Sequence, residues 1–264
     1  MLRALDKNDI SYLAWDAQKS GKPFFCPSCN KEVILRQGEV KAHHFAHKPP
    51  VYCIYGSGES EIHYRIKKQL YEYLKLQPNC EKCDVERNLK TVRPDISLYV
   101  DNIPVAIEIQ KTNIDIRTIK KRMMEYYKKK ISVLWIIPEE CPVMQYHEKE
   151  NEYVHRAIEW EIYLHALNYG KLYYWQGNNT LMAYHFSSFQ IYKEGSEWYD
   201  EYGDFQSAGG YHYYAKRLKI CSSDNKCLYI EKDFIKNMHK EYSNSSIDIP
   251  ECLIYKDKYG NWWK

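Results

Sequence analysis

The sequence predicts an α/β chain built on a mixed sheet, with a cysteine- and histidine-bearing module before it and an α+β extension after it. Three observations carry this. Two runs of alternating apolar and polar residues, 94–100 and 103–110, are separated only by Asp101-Asn102. Stretches with apolar residues at helical spacing lie on either side of them, and Ile131–Ile137 is a nearly unbroken apolar run. A short hairpin, then a helix, then a strand buried on both faces is the order in which a parallel pair closes through a right-handed crossover.

Taken in order, Cys26-Pro-Ser-Cys29 precedes Lys41-Ala-His-His-Phe-Ala-His47. A Cys-x2-Cys pair followed by a histidine cluster at this distance is the ligand spacing of a four-coordinate Zn²⁺ site. Glu32–Arg36 and Glu39–Ala42 around Gln37-Gly38 read as a small hairpin, the outline of a zinc ribbon. Cys80-Glu-Lys-Cys83 is a competing second pair, read instead as a turn, while Cys53, Cys141, Cys221, Cys227 and Cys252 suggest no further site. Ile62, Ile66, Leu70 and Leu74 define a helix that Ser60 caps, and a strand is expected near Asp84–Lys90. Ile116–Lys130 is a second helix.

The hairpin fixes a register. With Val100 and Ile103 as the last pair before the turn, partner numbers sum to 203, so Asp95 is set opposite Glu108. Opposed residues share a face with Cβ atoms roughly 4.5–5.5 Å apart. Gln110 comes two residues after Glu108 on the same face. Ile96, Leu98, Val100, Ile103, Val105, Ile107 and Ile109 supply the other face, and burying it resists slippage. Two carboxylates this close repel unless a cation lies between them, and hard oxygen donors suit Mg²⁺ or Mn²⁺. The pattern points to a metal-dependent phosphodiesterase. On the second helix and its flanks, Lys111, Arg117, Lys120, Lys121, Arg122, Lys128, Lys129 and Lys130 face only Asp115 and Glu125, a balance suited to phosphates.

Arg93-Pro-Asp95 followed by Glu108-Ile-Gln110 resembles the PD-(D/E)XK nuclease motif, with Gln where Lys is usual. Together with Cys26-Pro-Ser-Cys29, His44-Phe-Ala-His47, Ser60-Glu-Ile-His63 and Trp135-Ile-Ile-Pro138, it makes the chain similar to the competence protein CoiA family from about Phe24 to Pro138. The resemblance implies a restriction-endonuclease-like core, a structural zinc module and a part in DNA processing during transformation or recombination. It implies Asp95 and Glu108 as ligands of Mg²⁺ or Mn²⁺, Gln110 orienting water or phosphate, and Glu61, or Glu59 in its place, completing the site. The missing lysine charge is expected from His63, Lys67 or Arg122, with Tyr126 sharing the face of Arg122. Cys26, Cys29, His44 and His47 are the implied zinc ligands, with His43 and His47 the alternative pair. Single-stranded, duplex or branched DNA is the expected partner, with recombination proteins as further candidates. The rival expectation is a DNA-binding recombination factor with a degenerate groove.

Boundaries near Tyr52–Gly58 and Pro138–Asn151 divide the chain into residues 1–52 with the zinc-ribbon-like module, 59–138 as the nuclease-like domain, and 151–264 as a C-terminal α+β domain. In the last, Val154–Asn168 reads as a helix stopped by Gly170, and Lys171–Gln176 with Thr180–Phe186 as a hairpin. Tyrosines interleaved with Lys193, Lys216, Arg217 and Lys219 suit either packing or stacking on single-stranded nucleic acid. The 264 residues carry a net charge of only +3, so any nucleic-acid surface must be local. No apolar run approaches the ~20 residues of a membrane span. Nine cysteines without a signal peptide fit a reducing cytoplasm.

Overall fold

The computed structural model describes residues 1–19, 23–38, 42–50, 53, 60–244 and 246–260. Strands β1 (Arg3–Leu5), β2 (Ser11–Leu13), β3 (Phe24–Phe25), β4 (Glu32–Arg36) and β5 (His44–His47) form an antiparallel sheet in the order β2-β1-β3-β4-β5. Phe24, Val33, Leu35 and Phe45 fill its small core. The expected hairpin after Gln37-Gly38 is closed by β5 rather than by 39–42, of which 39–41 lie outside the described residues. The module is anchored to the rest of the chain: the Trp15 ring meets Tyr64 and Tyr71, each at 5.9 Å, and Asn88 Nδ2 donates to Pro27 O at 2.8 Å.

Helix α1 (Glu61–Leu74) starts at Ser60, whose Oγ accepts from the His63 N–H, and buries Ile66, Leu70 and Leu74. Strand β6 (Cys80–Val85) begins earlier than expected and stops at Glu86, whose φ of 50° takes it out of the extended region. Strands β7 (Ile96–Val100) and β8 (Ile103–Ile109) pair from Val100–Ile103 to Ile96–Ile107, the register summing to 203. Asp101 and Asn102 both have positive φ, 47° and 64°, as a two-residue type I′ turn requires. Helix α2 (Ile116–Lys128), capped by Asp115, leads to β9 (Ser132–Ile137), which runs parallel to β8.

Period-two burial decides which helix covers which face. Leu134 and Ile136 of β9 join Ile107, Ile109 and α1 on one side, while Val133, Trp135 and Ile137 join Ile119, Met123 and Tyr126 of α2 on the other.

The chain then continues the same sheet. Strands β10 (Met144–His147) and β11 (Glu152–Arg156) precede helix α3 (Glu159–Leu167), and β12 (Leu172–Trp175) lies parallel to β9. The long β13 (Leu181–Lys193) returns antiparallel, followed by β14 (Ser196–Tyr199), β15 (Phe205–Ala208) and β16 (Tyr211–Ser223). A short helix α4 (Ile230–Asp233) and strands β17 (Phe234–His239), β18 (Tyr242–Ser243), β19 (Asp248–Ile249) and β20 (Cys252–Asp257) complete the described elements. The main path is β10-β11-β16-β13-β12-β9-β8-β7-β6, with β20 also parallel to β9 through Ile254–Val133. One edge of β9 is therefore shared between β12 and β20.

Two expectations change here. The strands on either side of 138–151 belong to one sheet and share both its cores, so that stretch does not divide the sheet. Val154 and His155 are in a strand paired with β16, and the helix begins only at Glu159, where Glu161 accepts from the Ile158 N–H. The expected hairpin of 171–176 with 180–186 is β12 with β13.

Asp257 ties β20 to β12. It is 1% exposed and accepts from Lys171 Nζ at 2.8 and 3.0 Å and from the Tyr173 hydroxyl at 2.8 Å. Asp257→Ala leaves a buried ammonium without its partner and should lower stability by about 3 kcal/mol in urea unfolding. Loss of signal from the whole chain in a single transition is the expected result, because β20 lies beside β9.

Candidate active site and metal cluster

At the open end of the β7–β8 hairpin, the register brings Asp95 and Glu108 together, but not as a bare carboxylate pair. Asp95 precedes the first ladder residue, Ile96, so its carboxylate is free to turn. Its Oδ2 accepts from the Ile109 N–H at 2.8 Å and from His63 Nε2 at 3.0 Å, and Lys67 Nζ lies 3.2 Å from Oδ1. Burial by itself would raise its pKa; Lys67, His63 and the Ile109 N–H outweigh it and hold Asp95 far below the carboxylate range. Glu108 is 4% exposed and takes its partners from α2: one oxygen accepts from both Arg122 and the Tyr126 hydroxyl. Here burial and the charge of Asp95 prevail over Arg122 and raise the Glu108 pKa. The two acids are therefore inequivalent, each served by a different helix.

Lys67 is 2% exposed and joins Asp95 to a third acid, since its Nζ also donates to Glu86 Oε1 at 2.8 Å. Glu86 Oε2 accepts from the Leu2 N–H at 2.9 Å and lies 3.5 Å from Arg93 Nη1. The Glu86 backbone N–H donates to Asp95 O at 3.1 Å, extending the β6–β7 pairing by one step. Glu86, Asp95 and Glu108 face Lys67, Arg93 and Arg122, a balance reached before His63 is counted. Protein cations, rather than a bare carboxylate pair awaiting an ion, neutralise the two acids here, so removing Asp95 or Glu108 would strand buried cations.

Gln110 lies just past β8, and its Nε2 donates to Thr112 O rather than to either acid. Glu61 is exposed on the first turn of α1 and outside the hydrogen-bonded set, and Glu59 lies outside the described residues. The hydrogen bonds thus gather Asp95, Glu108, His63, Lys67, Arg122 and Tyr126, add Glu86 and Arg93, and leave Gln110 and Glu61 at the rim. Glu86 escapes sequence reasoning because it sits in no motif and at the end of a strand. Of the basic residues on and around α2, Lys111, Arg117, Lys121, Lys128 and Lys130 are exposed, while Lys120 pairs with Asp248 at 2.7 Å.

The cysteine cluster also differs from expectation in one ligand. Cys26, Cys29, His47 and Cys53 place one donor atom each within 4.8 Å of one another. Cys26 Sγ and Cys53 Sγ are 4.0 Å apart, and Cys29 Sγ and His47 Nε2 are 3.2 Å apart. Ligands of a tetrahedral Zn²⁺ with Zn–S near 2.3 Å stand about 3.8 Å apart, so three sulfurs and one imidazole at these spacings suit zinc. His44 is excluded by strand geometry. In β5, alternate residues face in, so Phe45 and His47 are buried and His44 turns outward, its Nδ1–H donating to Ala42 O at 2.8 Å. His43 precedes the strand and is not in the cluster, and Cys80 and Cys83 lie in β6. The signal that could have found Cys53 is the alternation itself, which admits only one histidine of His44-Phe-Ala-His47.

These geometries set two expected outcomes. Elemental analysis should find zinc near zero in Cys26→Ser and Cys53→Ser but full in His44→Ala. Glu86 supplies a pH test: burial raises its pKa, yet Lys67, Arg93 and the chain amino group overcome this and hold it at about 2. Its folded value lies below the unfolded ~4.3, so its contribution is complete above that value and is lost as pH falls toward 2. Urea midpoints measured between pH 6 and pH 3 should fall steeply for the unmodified chain and less for Glu86→Gln.

Comparison with known proteins agrees with this organisation. The N-terminal domain of competence protein CoiA matches residues 5–56, and the nuclease-like domain of competence protein CoiA matches residues 59–197, more than half of the chain. Competence protein CoiA of Bacillus subtilis (strain 168) is 33% identical over 117 residues, 43% of this chain and 31% of that relative, so the aligned part spans under a third of the relative's length. No solved structure matches. The nuclease-like match runs unbroken through 138–151, as the shared sheet does, and the chain belongs to the competence protein CoiA family.

Proposed function

We propose that the groove holding Asp95 and Glu108 is a Mg²⁺- or Mn²⁺-dependent phosphodiesterase site acting on DNA, on a restriction-endonuclease-like core. The observation that carries this reading is the convergence of two carboxylates at adjacent strand ends with His63, Lys67 and Arg122 on their oxygens. The donor chemistry fits a hard divalent ion, with Asp95 and Glu108 as its holders. When bound, such an ion supplies Lewis acidity and lowers the pKa of an attacking water. Binding it would require Asp95 to yield His63 and Glu108 to yield Arg122, while Lys67 stays between Glu86 and Asp95. His63 and Arg122, so released, would be free to meet a phosphate and would supply the charge that Gln110 lacks. Tyr126 keeps its hydroxyl toward Glu108, and the exposed lysines and Arg117 on and beside α2 neutralise flanking phosphates. The cysteine module braces Glu86 and the strand end without entering the chemistry.

A second reading rests on a specific observation: both acids are already neutralised by protein cations, so the groove is complete as a DNA-binding surface without an ion. Incubating the chain with single-stranded, duplex and branched DNA across a Mn²⁺ and Mg²⁺ titration separates the two. Cleavage that requires the ion and disappears in Asp95→Asn and Glu108→Gln, with DNA binding retained, is expected. Binding without cleavage by the unmodified chain at every ion concentration would leave the second reading. Gln110→Lys should retain or raise activity, since a cation is restored at the rim.

A further inference from the structure

β13 and β16 each run 13 residues, about 43 Å at ~3.3 Å per residue, and only their inner parts are covered. Phe189 and Ala215 pack on Val154; beyond them the arm carries the β14–β15 hairpin, in whose two strands every residue is exposed. Trp198 is 47% exposed, Tyr199 72%, Tyr202 83% and Phe205 56%. Tyr199 and Phe205 are paired, their rings 5.6 Å apart, and Trp198 pairs with Gln206 on the opposite face. Both faces of the ribbon thus present aromatic surface. A two-stranded ribbon without a core is marginal on its own, and clustered exposed aromatics mark a contact surface.

Charge selects the occupant. Residues 194–210 contain Glu194, Glu197, Asp200, Glu201 and Asp204 and no lysine or arginine. Such a tip repels a phosphate backbone, and two tips repel each other. The complementary surface is on α2. Arg117, Lys121, Met124 and Lys128 succeed one another at steps of four, three and four, one stripe opposite the buried Ile119, Met123 and Tyr126, and all four are exposed. Met124 is 46% exposed at the centre of this basic stripe, an apolar partner for aromatic rings.

We infer that the acidic, aromatic tip of the β13–β16 arm docks on the Arg117–Lys121–Met124–Lys128 stripe of a second copy of this chain. Exchanged reciprocally, two such contacts close a symmetric dimer. The contact draws on the same exposed Arg117, Lys121 and Lys128 that flanking phosphates would use, so bound DNA and the second copy compete for this stripe.

Sedimentation velocity of the full chain tests it. The unmodified chain should form a reversible dimer that weakens with salt. Glu197→Lys with Glu201→Lys, and separately Arg117→Glu with Lys121→Glu, should each weaken it about tenfold or more. Mixed together, these two variants should associate, because the reversed tip meets the reversed stripe and the native tip meets the native stripe. Trp198→Ser with Phe205→Ser should be monomeric with an unchanged melting temperature, since neither side chain supports the core. A monomer at low salt and the highest soluble concentration overturns the inference, as does a reversed variant that dimerises alone or a mixture that stays monomeric. Loss of binding to a single-stranded oligonucleotide in the tip variants, without change of mass, would reassign the arm to nucleic acid.

Discussion

The ammonium of Lys67 is the point on which the two halves of the site depend. At 2% exposure it is shut off from water, and Glu86 on one side and Asp95 on the other hold it as a charge. Glu86 is in turn held by the Leu2 N–H and Arg93, so the N-terminal sheet, the β6 end and α1 meet on a single buried charge. Burying a cation is favourable only while both acids stay ionised and in place. The geometry of Asp95 is therefore set by residues as far away in sequence as Leu2, through two ion pairs rather than through the strand alone.

Much of this scaffold was legible in the sequence because it derives from periodicity. The 203 register, the Asp101-Asn102 turn, Ser60 as cap and the parallel β8–β9 pair all come from alternation, helical spacing and turn chemistry. That Arg122 and Tyr126 share a face was readable from their four-residue spacing; that both meet one oxygen of Glu108 was not. Interactions settled by tertiary approach were not readable. Glu86 joins the site from a strand end with no motif, and Cys53 reaches the cluster by tertiary approach, although the alternation of His44-Phe-Ala-His47 already leaves room for only one of its histidines. At 154–168 an apolar pattern compatible with a helix was divided, its first part captured as a strand by β16. Periodicity does not report which partner strand is available.

Asp95 and Glu108 illustrate how position separates chemically similar groups. Asp95 lies at the strand end, where α1 reaches it with a cation, a histidine and a backbone amide beside it. Glu108 lies within the ladder, more deeply buried, and is reached from the opposite face by α2. The first is driven toward ionisation and the second away from it, with the charge of Asp95 itself contributing to the difference. A sheet end covered by one helix on each face can thus assign different protonation behaviour to carboxylates on neighbouring strands.

The division of one edge of β9 between β12 and β20 has a consequence for how the molecule is assembled. β9 is buried along its whole length, yet part of its edge is closed only by Ile254, more than a hundred residues downstream of its partner Val133. During synthesis the central strand keeps unpaired amide and carbonyl groups until that late segment has emerged. Such a long-range parallel pairing is formed slowly, because the intervening chain must be organised first. Until then the sheet keeps an open edge at its centre, the kind of edge that invites wrong pairing of extended segments.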